Sequence, residues 1–219
     1  MRRVVIFRHG ILINRFLMKR LEWLFRSRGY KVHNRSYPTT RKTIKEHAVD
    51  LFDELRAVQE FEEQTGGPYE LYVVTHSLGG LVFRYALTHF PVPTIRRAVQ
   101  LVPPNQGSTT ARWFNNLPLP IYRWIAGKSG AQLAEAPPGI FEKCGVPDNV
   151  EIGIVAGVNG IKLLLPIPLP KPHDGIVTLD ETRLGDFPVK ELPFNHTPIL
   201  WRRRTFEEAA YFLENGEFR

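Results

Sequence analysis

The sequence predicts an α/β fold in which a mostly parallel β-sheet carries helices on both faces. Short apolar, β-rich runs alternate along the chain with longer stretches whose apolar residues recur at helical spacing. This alternation is typical of parallel strands joined by crossover helices. The chain has 219 residues, a length that fits one domain with a sizeable core. We therefore predict a single domain over residues 1–219.

Strands are predicted where a short apolar run is bounded by polar or turn-forming residues. The first of these runs has the apolar character of a buried strand. In chain order the predicted strands are Val4–Phe7, Lys31–Ser36, Leu71–Val74, Ala98–Val102, Ile152–Ala156 and Val189–Leu192.

Helices are predicted between these strands from capping residues and apolar spacing. Asn14 can cap a first helix that ends at Gly29. Thr43 and Glu46 have capping-box spacing at the start of a second helix, which Gly66 stops. Two further helices are predicted over Leu81–His89 and Thr205–Leu213.

Two segments break the regular pattern. Residues 105–149 are rich in Pro, Gly and aromatic residues, and we predict that they form an insertion over the active site, similar to a lid. Residues 163–170 form an apolar loop rich in proline. Both segments are candidates for lining an apolar substrate pocket.

The bulk properties exclude several functional classes. The formal net charge of +7 is scattered along the chain, and no nucleic-acid motif accompanies it. We expect no nucleic-acid partner, and the charge leaves open a weak contact with an anionic membrane surface. No apolar run is long enough for a membrane span or an export signal, so we expect a cytoplasmic protein. The single cysteine, Cys144, requires no oxidising compartment.

The central chemical signal is a serine at a strand-to-helix junction. Ser77 follows the strand Leu71–Val74, and Gly79 and Gly80 come directly after it, ahead of a predicted helix. A serine that attacks a substrate must project from a sharp turn, and small residues nearby let strand and helix approach closely. The start of the helix then offers backbone amides to a developing oxyanion, of which the Leu78 amide is one.

The stretch Thr75-His76-Ser77-Leu78-Gly79-Gly80 resembles the nucleophile elbow of the α/β-hydrolase family, and of bacterial lipases and esterases in particular. Thr75 departs from the motif, because a glycine usually stands there. The resemblance implies an α/β-hydrolase fold with Ser77 as the nucleophile. It also implies that His9-Gly10 starts the oxyanion loop, whose next residue, Ile11, gives the second backbone donor. Since the first strand starts at residue 4, we expect a minimal sheet of about six strands.

The family's chain order of nucleophile, acid and base assigns the other two catalytic residues. Of the three histidines after Ser77, His89 lies on the helix that follows the elbow and His173 precedes every late acid. His196 therefore fits as the base. Asp174, in an Asp-Gly-Ile-Val segment that resembles one in bacterial lipases, is the preferred acid. The rival acids are Asp180, Glu181 and Asp186.

Several further residues are candidates for contacting the substrate near this triad. The segment Pro103–Ser108 resembles one at the rim of the site in lipase-like members, and Ser108 is not expected to be a nucleophile. The candidate substrate-binding residues are His9, Gly10, His76, Asn105, Gln106 and Trp113.

These features predict a serine hydrolase that cleaves a small-molecule or lipid ester through an acyl-enzyme, with no cofactor and no metal. The histidines lack paired ligand spacing, and no phosphate-binding or dinucleotide-binding glycine motif is present. Two alternatives stay open. One is an acyltransferase or thioesterase with the same triad, and the other is a binding module that keeps the fold without catalysis.

Overall fold

A single six-stranded sheet forms the centre of the molecule. The computed structural model describes residues 1–118, 121–160 and 167–219. The strand order is β2-β1-β3-β4-β5-β6, and every neighbouring pair is parallel. The strands are β1 (Arg2–Arg8), β2 (Tyr30–Asn34), β3 (Tyr69–His76), β4 (Arg97–Leu101), β5 (Glu151–Gly157) and β6 (Val189–Leu192). The predicted sheet of about six mostly parallel strands is confirmed.

Helices connect these strands, as a parallel sheet requires, because each connection must cross from one end of the sheet to the other. The helices are α1 (Lys19–Ser27), α2 (Ile44–Thr65), α3 (Leu78–His89), α4 (Thr109–Asn115), α5 (Ile121–Leu133), α6 (Gly139–Lys143), α7 (Leu179–Thr182) and α8 (Arg203–Asn215). The capping box predicted at Thr43 and Glu46 is formed at the start of α2, and Gly66 ends this helix.

Two apolar cores lie on opposite faces of the sheet, because successive strand residues point to opposite sides. On one face Val4 and Ile6 of β1 pack in the core that includes α2 and α3. On the other face Val5 and Phe7 pack in the core that includes α1 and α8. The prediction of helices on both faces is therefore confirmed, and both faces of β1 are shielded from water.

The elements differ from the predictions mainly at their ends. Asn14 accepts a hydrogen bond from the amide of Phe16, but it caps a 3-10 turn, Arg15–Met18, and α1 begins only after it. α3 begins at Leu78, directly after Ser77, rather than at residue 81. Both changes come from turns whose geometry depends on contacts outside the local sequence.

The predicted insertion, residues 105–149, contains regular structure in its described part. It forms the three helices α4, α5 and α6, none of which the sequence pattern predicted. α5 contains Gly127, whose backbone is not helical, so this helix is kinked. Short and interrupted helices of this kind carry too few turns to show a clear apolar period.

Candidate active site

Ser77 occupies a strained turn between β3 and α3. Its φ of 52° and ψ of −124° lie in a region that side chains with a Cβ rarely adopt. The turn is held from both sides, because the Ser77 amide donates to the Leu101 carbonyl at 2.9 Å and the Ser77 carbonyl accepts from the Gly80 amide at 2.9 Å. This backbone lifts the serine side chain away from the sheet toward the carboxyl ends of the strands.

Gly79 allows the helix to approach the sheet at this turn. A Cβ on Gly79 would collide with the carbonyl oxygen of Arg8, at the end of β1. Thr75, which stands where the family motif has its first glycine, is fully buried within β3. The space that this turn needs is therefore supplied by Gly79, two residues after the serine.

His196 and Asp174 form a buried acid–base pair. The Nδ1 atom of His196 lies 2.6 Å from Oδ2 of Asp174. The other carboxylate oxygen, Oδ1, accepts from the amides of Ile176 at 2.9 Å and Val177 at 2.7 Å. The His196 amide also donates to the Asp174 carbonyl at 3.0 Å. Since both oxygens of the carboxylate and both backbones are engaged, the imidazole is fixed with Nδ1 toward Asp174 and Nε2 on the opposite side of the ring.

The rival acids lie elsewhere. The side chain of Asp180 is 93% exposed. Glu181 accepts from the amides of Thr178 and Thr109, so it is engaged in capping helices. Asp186 is exposed on a turn. The structure brings only Asp174, of the four candidates, into contact with His196.

His76 lies beside His196 as a neutral side chain. Its Nε2 donates to the His196 carbonyl at 3.0 Å, and the two rings are 5.0 Å apart. Burial lowers the pKa of His76 to about 3, so this ring carries no charge at neutral pH. The His76 ring therefore places no positive charge beside His196.

His9, at the start of the loop that follows β1, is held in place by hydrogen bonds and ring stacking. Nδ1 of His9 donates to the Gly10 carbonyl at 3.0 Å, and Nε2 accepts from the Tyr37 amide at 3.2 Å. The Tyr37 hydroxyl donates to the His9 carbonyl at 2.7 Å, and the two rings are stacked. Burial lowers the pKa of His9 to about 4, which keeps the ring neutral. His9 therefore orients the loop.

A cavity of about 300 Å³ connects the predicted site residues. Ser77, His76 and His196 line it together with Ile11 of the loop that follows β1. The amides of Ile11 and Leu78 donate no hydrogen bond to another described residue. Such amides are available to an oxygen bound beside Ser77.

Other predicted binding residues do not line this cavity. Asn105 is buried and donates to Gln100 and Thr182, so its amide is occupied in holding the loop after β4. Gln106 lies beside Asn105 in a separate cavity. Trp113 packs edge-on against Phe114 and does not line the cavity that contains Ser77. His9 and Gly10 also do not line it, although Ile11 next to them does.

The sequence did not indicate several residues that shape the site. Ile176 and Val177 line the cavity and also bind Asp174 through their amides. By contrast, Phe114 and Tyr122, which also form part of its wall, belong to the insertion at 105–149 that the sequence indicated as a candidate lining segment. In the predicted loop at 163–170, residues 163–166 lie outside the described residues, and Ile167 and Leu169 are buried.

The described ranges contain no group of three or more His, Cys, Asp or Glu side chains arranged to hold a metal ion. None of the helices in those ranges combines the length and apolarity needed to cross a bilayer.

The fold and the turn at Ser77 define an α/β-hydrolase architecture, and solved structures share it. Mature Bacillus licheniformis lipase BlEst2 is similar at TM-score 0.70 and 18% identity, with 95% of this chain and 91% of that chain covered. Legionella pneumophila phospholipase PlaB is similar at TM-score 0.71 and 14% identity, with 90% and 53% covered. Aspergillus fumigatus lipase B is similar at TM-score 0.70 and 14% identity, with 98% and 53% covered.

The chain therefore has the α/β-hydrolase fold, and it spans about half the length of the last two proteins. No protein-family model and no curated protein sequence matches the chain. At these identities the likeness extends to the fold, and the chemistry must be argued from the residues of the site.

Proposed function

We propose that this protein is a serine hydrolase that cleaves carboxylic esters, with Ser77 as nucleophile, His196 as base and Asp174 as the acid that orients the base. The observation that carries the proposal is the 2.6 Å contact between His196 and Asp174 at a cavity that Ser77 also lines. The strained backbone of Ser77 adds support, because strain of this kind is maintained at functional sites when the surrounding structure enforces it.

The chemistry follows from these positions. His196 Nε2 takes the proton of the Ser77 hydroxyl as its oxygen attacks the ester carbonyl, and the tetrahedral intermediate then collapses. The protonated imidazole gives its proton to the departing alcohol, which leaves an acyl group on Ser77. His196 next takes a proton from water, the resulting hydroxide attacks the acyl carbonyl, and the proton returns to Ser77 as the acid is released. Asp174 stabilises the imidazolium in both halves.

The amides of Ile11 and Leu78 are the proposed oxyanion donors. The Gly10 carbonyl accepts from His9, and in a trans peptide the next amide, that of Ile11, points to the opposite side. Leu78 is the first residue of α3, where helical amides have no partner within the helix. Loss of one such donor typically costs about 3–4 kcal/mol in the transition state.

The proposal favours an ester over a charged substrate. The described residues that line the cavity include no Asp, Glu, Lys or Arg, and apolar side chains such as Ile11, Leu133 and Val177 form much of its wall. The protein structures of similar fold include proteins described as lipases and a phospholipase, which agrees with an ester or lipid substrate.

Hydrolysis of nitrophenyl butyrate tests this proposal. The wild-type protein is expected to release nitrophenol with saturation kinetics. Ser77→Ala and His196→Ala are each expected to lower kcat at least a thousandfold while the folded structure, followed by circular dichroism, is unchanged. Adding an alcohol acceptor separates hydrolysis from acyl transfer, because transfer yields a new ester and hydrolysis yields free acid. Activity that survives in Ser77→Ala would overturn the proposed nucleophile.

A further inference from the structure

A second apolar space adjoins the cavity that Ser77 and His196 line, here called the catalytic cavity. This space, here called the outer groove, has a volume of about 460 Å³ and is formed by Leu12 and by residues of the insertion. Leu12, Phe114 and Tyr122 line both the outer groove and the catalytic cavity. Leu12 directly follows Ile11, so the groove begins one residue from a proposed oxyanion donor.

The described residues that line the outer groove offer no free polar partner to a ligand. Its remaining walls come from Leu117, Pro118, Ile121, Ile125 and Ala126. The one side-chain hydroxyl, that of Tyr122, donates to the Gly130 carbonyl at 3.0 Å, so it is already satisfied. Several of these apolar side chains face water, with Ile121 51% exposed and Ile125 48% exposed. Contiguous exposed apolar surface is a feature of ligand-binding grooves and of surfaces that contact proteins or membranes, and its continuity with the cavity favours a ligand groove here.

Two stacked rings separate the groove from the cavity. The rings of Phe114 and Tyr122 are nearly parallel, at 11°, with centroids 6.1 Å apart. Phe114 belongs to α4 and Tyr122 to α5, so both are part of the insertion. An alkyl chain that leaves the catalytic cavity must pass these rings to reach the groove.

We propose that the outer groove binds the distal part of a medium- or long-chain acyl group, so that the substrate is an ester whose chain runs from Ser77 past Phe114 and Tyr122. This inference rests on the proposed function and narrows its substrate class. An acyl chain fits because it is uncharged and unbranched, needs no hydrogen-bond partner and is joined to the carbonyl at Ser77. A bilayer surface, the competing occupant, would not require continuity with the cavity.

The expected effect of the groove is a rise in kcat/KM with chain length. Each CH₂ group that moves from water into an apolar site improves binding about fourfold. Two such groups held by the groove therefore give more than a tenfold gain. The gain should stop increasing once the chain outgrows the groove.

Monomeric nitrophenyl esters from butyrate to decanoate, kept below the concentration at which they aggregate, provide the test. We expect kcat/KM for decanoate to exceed that for butyrate at least tenfold in the wild-type protein. Ile125→Glu places a carboxylate in the groove and should lower this ratio at least tenfold. Trp124→Glu is the matched control. Trp124 is adjacent on α5, 85% exposed and not among the residues that line the groove. The decanoate-to-butyrate ratio of kcat/KM should therefore change less than twofold in Trp124→Glu.

A separate binding measurement keeps the test independent of catalysis. Ser77→Ala protein titrated with methyl decanoate should bind it, and the double variant with Ile125→Glu should bind at least tenfold more weakly. Equal chain-length ratios in wild-type and Ile125→Glu protein would overturn the groove assignment while butyrate hydrolysis upheld the proposed function. If Ile125→Glu and Trp124→Glu lost kcat/KM equally, and only with vesicle-bound esters, this face would be assigned to a bilayer. That result would also overturn the groove assignment. If the wild-type protein hydrolysed no ester while Ser77→Ala still bound methyl decanoate in the groove, only the proposed function would be overturned.

Discussion

Replacing Asp174 by Asn should abolish catalysis by reversing the tautomer of His196. Oδ1 of Asp174 accepts from two backbone amides, those of Ile176 and Val177. An Asn side chain must keep its carbonyl oxygen at that position, since its NH₂ group would otherwise face two donors. The NH₂ group then faces Nδ1 of His196, where the carboxylate oxygen now lies 2.6 Å away. Nδ1 must become the acceptor, and the proton moves to Nε2.

A proton on Nε2 removes the proposed base, because that nitrogen can no longer accept from Ser77. The equivalent change in a serine protease, with geometry intact, lowers kcat about 10⁴-fold. That factor corresponds to about 5.4 kcal/mol of transition-state stabilisation. We expect a similar loss in kcat here and little change in KM, because Asp174 is buried and does not line the cavity.

Steady-state hydrolysis of nitrophenyl butyrate measures this effect, and Asp180→Asn provides the matched control. Asp180 is only six residues away and is exposed, so its variant should keep wild-type kinetics. Circular dichroism and thermal unfolding establish that Asp174→Asn folds. If folded Asp174→Asn protein keeps kcat within tenfold of the wild type, the tautomer argument is wrong.

Three further predictions follow from the same contacts. Gly10→Ala should lower kcat at least tenfold, because the new Cβ would lie 2.8 Å from Nδ1 of His76 and 2.9 Å from Cβ of Ser77; an unchanged kcat on nitrophenyl butyrate would contradict this. The free energy of unfolding of Ser77→Gly should exceed that of Ser77→Ala by about 1 kcal/mol, because only Gly adopts a φ of 52° without strain. Denaturant titration measures this difference, and equal stability of the two variants would refute the prediction. The free energy of unfolding should also fall as the pH is lowered from 6.5 to about 4. Burial lowers the pKa values of His9, His47 and His76 to about 4, 4 and 3. These side chains therefore stay neutral in the folded protein over this range, while the same histidines in the unfolded chain bind protons. Each contributes about 1.4 kcal/mol per pH unit in that window, so a flat profile in denaturant titrations would refute the burial argument.

The sequence predicted the sheet well because each strand carries its own local signal. Val4 to Phe7 is continuously apolar, as expected of a strand that packs against helices on both faces. The start of α2 was equally readable, since Thr43 and Glu46 form the capping box within four residues. These features depend on neighbours in the chain and need no knowledge of the fold.

Other features depend on contacts between distant segments, and the sequence could not reveal them. The helices of the insertion pack around a groove that exists only after folding. His9 was predicted as a substrate-binding residue, and its ring stacks on Tyr37, which is 28 positions along the chain. No local pattern links these two residues. The catalytic roles of Ser77, Asp174 and His196 remain predictions, which the geometry of the three residues supports.

Labelling of the folded protein with a fluorophosphonate, followed by peptide mapping, tests the central claim most directly. Two serines, Ser77 and Ser108, line the catalytic cavity, so the map distinguishes them. We expect one adduct, on Ser77, that is lost in His196→Ala. An adduct on Ser108, or folded protein in which no serine reacts, would contradict it.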